Sequence, residues 1–590
     1  MKKLLTGNEA VARGAYEAGV TFASAYPGTP STEILENIAL YDEIYSEWAP
    51  NEKVAVEATV GASIAGARAM AAMKHVGLNV AADPFFTFAY TGVNGGCIIV
   101  SADDPGMHSS QNEQDNRYFA KAAKVPMLEP SDSQEAKDFV KVGYEISEKY
   151  DVPVLLRLTT RICHSKGMVD MDDRKDVEIK EYTKDIPKYV AAPANARVLH
   201  VKLEEKLKEL EKFSNETELN KIEWNDKKIG IVTSGIAYQY AKEAFGKEAS
   251  YLKLGFTFPL PKDKIRDFSK KVEKLYVIEE LEPYIETEIR AMGIEVTGKD
   301  KLPVVGELNP DIIAKTLLDD ITPIIDMDED KVVGRPPTMC AGCPHRGFFY
   351  ELSKKKDVVV TGDIGCYTLG ASPPLLATDT VICMGASISA GHGFKQASEK
   401  NNRSKKVFSV IGDSTFFHSG ITGLLDIVYN NGNVTVVILD NRITGMTGHQ
   451  ENPGTGYTIK GEPTEEIDLV KLCEAVGIKD INIINPLDLK ETREAIDRSM
   501  SLDKPNVIIT KWPCVLKKMK AEEIEEYKLN DRKICYVDNE ECKKCKMCLK
   551  VGCPAISFDP SVGAIIDDAM CVGCDVCLQV CPFGAIKKTE

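Results

Sequence analysis

Two short cysteine runs at the end of the chain constrain its folding more than any other feature. Cys542, Cys545, Cys548 and Cys553 form the first, and Cys571, Cys574, Cys577 and Cys581 the second. Each run closes in Cys-Pro. A tight turn with two residues between successive cysteines converges three thiolates. Eight thiols in this doubled spacing read as metal ligands, against the alternatives of a zinc site or a disulfide-stapled tail.

The runs resemble the C-x2-C-x2-C-x3-C-P pattern of two-cluster bacterial ferredoxins, over about residues 535–588. That resemblance implies one 4Fe–4S cluster on Cys542, Cys545, Cys548 and Cys581, and a second on Cys571, Cys574, Cys577 and Cys553. The first run departs from the pattern, with four residues rather than three between Cys548 and Cys553. An electron-carrying tail directs attention to a redox reaction upstream.

The chain has 590 residues, enough for three to five domains on the usual size range. A net charge of −16 leaves no basic excess for phosphates and excludes nucleic acid as the expected partner. The N-terminus lacks the sustained apolar run of a signal peptide, and VTVVIL (434–439) is too short to span a bilayer. No membrane partner and a cytoplasmic location are expected, where seventeen cysteines mean metal ligation rather than disulfides.

Residues 1–165 alternate apolar runs with helical patterns, as in an α/β domain. TFASAYPGTP reads as a strand entering a Gly/Pro turn; VAVEATVGASIAGARAMAAM (54–73) reads as extended, then helical. Residues 166–227 read as a connector with a charged helix, and 228–330 as a smaller α/β domain. Residues 331–515 carry near-continuous apolar strands at 357–362, 380–385, 407–412, 434–441 and 505–512, the mark of a parallel sheet covered on both faces. A charged linker (516–534) leads to the cysteine tail (535–590).

One strand ends in Gly412-Asp413-Ser414, and the next in Asp440-Asn441. A glycine lets backbone approach a diphosphate, the following helix N-terminus faces the anion, and Asp and Asn offer hard oxygens to Mg²⁺. This resembles the thiamine-diphosphate motif, with Ser414 where Gly is usual. The resemblance implies Gly412, Asp413, Ser414, Asn441 and Ile443 as cofactor-binding residues, with Asp413, Asn441 and the Ile443 carbonyl on the magnesium. His418 and His449 are polar candidates nearby, each weighed against a structural role. Thiamine enzymes pair this domain with a similar one that gives a glutamate to the pyrimidine ring, and Glu57 matches that position. Tyr26–Thr32 resembles the substrate loop of pyruvate:ferredoxin oxidoreductases, implying Thr29 near the substrate and Arg117 on its carboxylate. Cys340, Cys343, Cys366 and Cys514 resemble the ligands of a third cluster near the cofactor. Cys97, Cys163, Cys383, Cys473 and Cys535 fall outside the motifs and read as core residues or bystanders.

Together the motifs resemble the large subunit of the indolepyruvate branch of the 2-oxoacid:ferredoxin oxidoreductases. The implied fold is α/β: two doubly wound thiamine-binding domains flanking a smaller α/β domain, with a two-cluster ferredoxin-like domain at the C-terminus. The implied reaction is oxidative decarboxylation of an aryl 2-oxoacid with coenzyme A, electrons leaving to ferredoxin. The implied partner is a smaller beta subunit in a hetero-oligomer. A pyruvate or branched-chain 2-oxoacid oxidoreductase, and an electron-transfer protein with an inactive thiamine site, remain as alternatives.

Overall fold

The computed structural model describes residues 1–318, 332–334, 336–400 and 405–589. The chain divides into two compact units, residues 1–329 and 330–590. The boundary expected at 330/331 lies outside the described residues.

The first unit is built on a seven-stranded sheet. Its order is Phe256–Phe258, Met127–Leu128, Val154–Thr159, Cys97–Asp103, Ala69–Lys74, Phe22–Ala25 and Tyr45–Trp48. All neighbours run parallel except Phe256–Phe258, which adds antiparallel to Met127–Leu128. The central strands are buried along their length except at Lys74, the last residue of Ala69–Lys74, as a sheet with both faces covered requires. A second sheet sets Lys274–Ile278, Ile229–Ser234 and Ser250–Leu254 in parallel, with Asn220–Glu223 antiparallel at its edge. Residues 166–227 therefore do more than connect. They give Lys166–Asp170 to pair with Lys2–Thr6, the helix Pro193–Glu216, and that edge strand.

The stretch 54–73 folds in the opposite sense to the sequence reading. Asn51 caps a helix Glu52–Ile64, its side chain accepting from the Val54 amide at 2.9 Å. The strand Ala69–Lys74 follows. AMAAMK has helix-forming composition, yet burial on both faces makes it a central strand.

The second unit carries a six-stranded parallel sheet. The order is Thr380–Val381, Val358–Gly362, Lys406–Gly412, Thr435–Asp440, Asn506–Lys511 and Ile481–Ile484. The cysteine tail forms two antiparallel pairs, Cys535–Val537 with Ile586–Lys588 and Ile556–Asp559 with Gly563–Ile566. Val551, Val576 and Val580 join the same apolar core as Phe348, Phe408 and Val437, so the tail is packed into this unit. Among the described residues, no helix is long and apolar enough to cross a membrane.

Candidate functional site

In parallel sheets ligands gather at the carboxyl ends of strands. In the second unit, Gly412 pairs with Leu439, so Asp413 and Asp440 leave adjacent strands side by side. Helical turns run without a break from Asp413 to Tyr429. Asp413 and Asp440 are 4% and 7% exposed. Burial, and for Asp413 the neighbouring charge of Asp440, push both carboxyls above the ordinary range. Asp413 Oδ2 accepts from Asn452 Nδ2 at 3.1 Å, which folds the Gly-rich loop 444–454 back over the site. Thr444 Oγ1 donates to Ser414 Oγ at 2.9 Å. Asn441 Oδ1 accepts from the Ile443 amide at 3.2 Å. The Asn441 amide faces His345 Nε2 at 3.4 Å, and burial lowers this histidine to about 4, so it is neutral, with Nε2 accepting in the tautomer that carries its proton on Nδ1. His418 is buried with Nδ1 2.9 Å from Ser419 Oγ. His449 is half-buried at a left-handed position in the loop (φ 71°). Two buried acids beside an amide oxygen are hard-oxygen donors that a magnesium diphosphate would satisfy; Arg442 acts on both, but its guanidinium is engaged by Glu466.

The candidate third thiolate set surrounds these residues. Cys366 follows Val358–Gly362 and Cys514 follows Asn506–Lys511, on either side of the two central strands. The Cys514 amide donates to the Asn441 carbonyl at 3.0 Å. Cys343 lies in the electrostatic range of Cys366 and Cys514, and Cys366 in that of Cys340. Arg346 donates to the carbonyls of Met339, Cys340, Val551 and Gly552, pinning the Cys340–Cys343 turn to the tail. In the tail, Cys542, Cys545, Cys548 and Cys581 line one small cavity. Cys553, Cys571, Cys574 and Cys577 line another. The crossed fourth cysteine thus meets the other run in each case, despite the extra residue before Cys553. The four thiols of each set suit a cubic cluster, and Cys535 lines the second space as a fifth cysteine.

The first unit places two candidate residues differently from the sequence expectation. Glu57 lies in the second turn of Glu52–Ile64, exposed and paired with Lys53, not at a helix start. The acid at the helix start is Glu52, 4% exposed, which the sequence reading missed. Gly77 makes room for it: a β-carbon there would stand 2.7 Å from Glu52 Cγ and Oε1. Arg117 is 1% exposed and saturated. It donates to Asp115 Oδ2 and Glu279 Oε2 at 2.6 Å each, and to the Glu280 and Glu282 carbonyls at 2.9 and 3.0 Å. A guanidinium so engaged has no fork left for a substrate carboxylate. Thr29 sits half-buried in the loop after Phe22–Ala25.

The comparisons agree with this geometry. The thiamine pyrophosphate enzyme C-terminal TPP-binding domain family matches residues 363–510. The pyruvate flavodoxin/ferredoxin oxidoreductase thiamine-diphosphate-binding family matches 13–226, and the 4Fe-4S binding domain 564–587. The chain is 41% identical to the indolepyruvate oxidoreductase subunit IorA of Archaeoglobus fulgidus, over all of this chain and 98% of that one. It is 41% identical to that of Methanothermobacter thermautotrophicus (99% and 97% covered) and 42% to that of Pyrococcus horikoshii (100% and 97%). The chain belongs to the IorA family of 2-oxoacid:ferredoxin oxidoreductases. As a member it is an oxidoreductase that uses thiamine diphosphate and 4Fe–4S clusters.

Proposed function

We propose that the chain is the large subunit of an enzyme that oxidatively decarboxylates aryl 2-oxoacids such as indolepyruvate. Coenzyme A accepts the acyl group, CO₂ leaves, and two electrons pass singly to ferredoxin. A smaller partner subunit completes the assembly. The observation that carries this reading is the Asp413–Asp440 acid pair, buried beside Asn441 at the ligand end of the sheet with both carboxyls pushed up by burial.

Asp413, Asn441 and the Ile443 carbonyl would hold Mg²⁺, with Gly412 and Ser414 at the turn that meets the diphosphate. Asp440 and Asn452 orient this set, and His345 fixes the Asn441 amide so that its oxygen is left for the metal. When bound, thiamine diphosphate supplies the carbon nucleophile and the electron sink. Glu52, rather than Glu57, would hold the proton on the pyrimidine ring: it is buried, and it opens the helix. Thr29 faces the substrate in this scheme. Cys340, Cys343, Cys366 and Cys514 would hold a cluster next to the Asn441 turn. Cys542, Cys545, Cys548 with Cys581, and Cys571, Cys574, Cys577 with Cys553, would hold the two that lead outward.

The test is steady-state turnover of the two-subunit enzyme with ferredoxin and coenzyme A, across indolepyruvate, phenylpyruvate and pyruvate. Indolepyruvate and phenylpyruvate are expected to exceed pyruvate in kcat/KM. A preference for pyruvate would overturn the aryl assignment, and turnover without coenzyme A would overturn the acyl acceptor.

A further inference from the structure

With Arg117 committed to its own network, the cation for the substrate's carboxylate has to come from elsewhere. The first unit places one at the ligand end of its sheet. The neighbouring strands Tyr45–Trp48, Phe22–Ala25, Ala69–Lys74 and Cys97–Asp103 run parallel, so their carboxyl ends share one edge. That edge presents, in order, Glu52, the Thr29 loop, Lys74 and Asp104.

Lys74 runs beneath the loop. A β-carbon on Gly28 would stand 3.1 Å from both Lys74 Cγ and Cδ, so the glycine leaves the lysine its path. The Lys74 ammonium donates to the Ser109 carbonyl at 2.8 Å. An ammonium has three donors, and this contact uses one. Among the described residues no carboxylate comes within ion-pair distance of it. Asp104 is turned to Thr160, Ser110 and the Ser109 amide instead. Burial pushes Lys74 down to about 8, against the longer-range pull of Asp104 and Glu52. A half-buried ammonium with two spare donors and no carboxylate at ion-pair distance, at the ligand end of a sheet, is suited to receive an anion.

Two other cations sharpen the point. Arg117 has carboxylates on two sides. Lys406 is also pushed to about 8, but it opens its strand and spends its donors on Asn433 Oδ1 and the Leu502 carbonyl. Only Lys74 among these three combines spare donors with the ligand end of a sheet.

We propose that Lys74 binds the carboxylate of the 2-oxoacid substrate, the role the sequence resemblance gave to Arg117. The proposal rests on the thiamine-dependent 2-oxoacid reading above. A compact ammonium with two donors left, beside the Thr29 loop and on the same strand-end edge as Glu52, fits a small carboxylate.

The experiment uses the complete two-subunit enzyme as wild type, Lys74→Met and Lys74→Arg. The readouts are KM and kcat for the preferred 2-oxoacid, thiamine diphosphate affinity, and inhibition by the substrate's carboxamide, which lacks the charge. Lys74→Met is expected to raise KM about 100-fold with a smaller change in kcat. Its affinity for the carboxamide and for thiamine diphosphate should stay at the wild-type value, and Lys74→Arg should recover part of the KM. An unchanged KM, an equal loss for acid and carboxamide, or loss of thiamine diphosphate overturns the proposal. If Lys74→Met does not accumulate folded, Lys74→Gln carries the same test, and failure of both assigns Lys74 to the scaffold. A wild-type complex that turns over no 2-oxoacid sinks the broader reading; normal wild-type turnover with an indifferent Lys74→Met sinks the lysine alone.

Discussion

Arg117 and Asp413 are both almost wholly buried, at 1% and 4% exposure, yet their surroundings differ. Arg117 meets Asp115 and Glu279, and beside it Arg157 donates to Asp103 Oδ2 at 2.7 Å and Glu129 Oε2 at 3.0 Å. Charge answers charge there, and the network ties the helix Arg117–Ala123 to the loop after Lys274–Ile278. Around Asp413 the dominant charge is another acid, Asp440, and the cation that also acts on it, Arg442, is paired with Glu466. Evolved proteins retain buried charge in both ways, but a matched set is scaffold, whereas an unmatched one waits for a ligand.

The contrast breaks most readily at the acid pair. Asp413→Ala should abolish magnesium-dependent thiamine diphosphate binding and cut turnover on the order of 10³-fold, measured by cofactor titration and steady-state rates. The fold should survive, because the substitution removes a buried acid that is held at a desolvation cost. Next in size, Glu52→Gln should lower turnover about 10²–10⁴-fold while Glu57→Gln stays within about twofold, in the same assay. Inverted results would return the role to Glu57.

Arg117→Leu should behave as a scaffold lesion. Leaving Glu279 buried and unpaired, and Asp115 with only Arg157 at 3.9 Å, should cost about 3–5 kcal/mol of stability in denaturant unfolding, with KM unchanged in the folded fraction. A selective rise in KM would make Arg117 a substrate residue after all.

The smallest effect is one of pH. The folded state holds the Asp413 proton more tightly than the unfolded chain does. The associated stability is therefore full below the ordinary carboxylate range and is lost as pH rises toward the raised folded value. The cofactor-free protein should thus melt at lower temperature at pH 8 than at pH 5. Asp413→Asn, or magnesium with thiamine diphosphate, should flatten that slope. A steeper slope in Asp413→Asn would contradict the account.

The sequence disclosed most where the signal is local. The cysteine spacing needs no tertiary knowledge, and the two tail cavities are lined by the sets it suggests. Strands buried on both faces, such as Thr435–Asp440, announce themselves as apolar runs. Ile481–Ile484 escaped because it is a half-exposed edge strand. Glu52 was missed because Ala69–Lys74 looks helical, which displaced the helix start. Arg117 misled because Glu279 lies 162 positions away, and no local pattern reveals that partner. Cys535, read as a bystander, is buried, and its amide donates to Cys571 Sγ at 3.3 Å through the strand pair that closes the tail.

Content analysis of anaerobically purified protein tests the central claim most directly. The account predicts about twelve irons and as much acid-labile sulfide per chain, four for each of three thiolate sets, together with bound magnesium and one thiamine diphosphate. Zinc in place of iron, or iron without thiamine diphosphate even after reconstitution with magnesium, would contradict it.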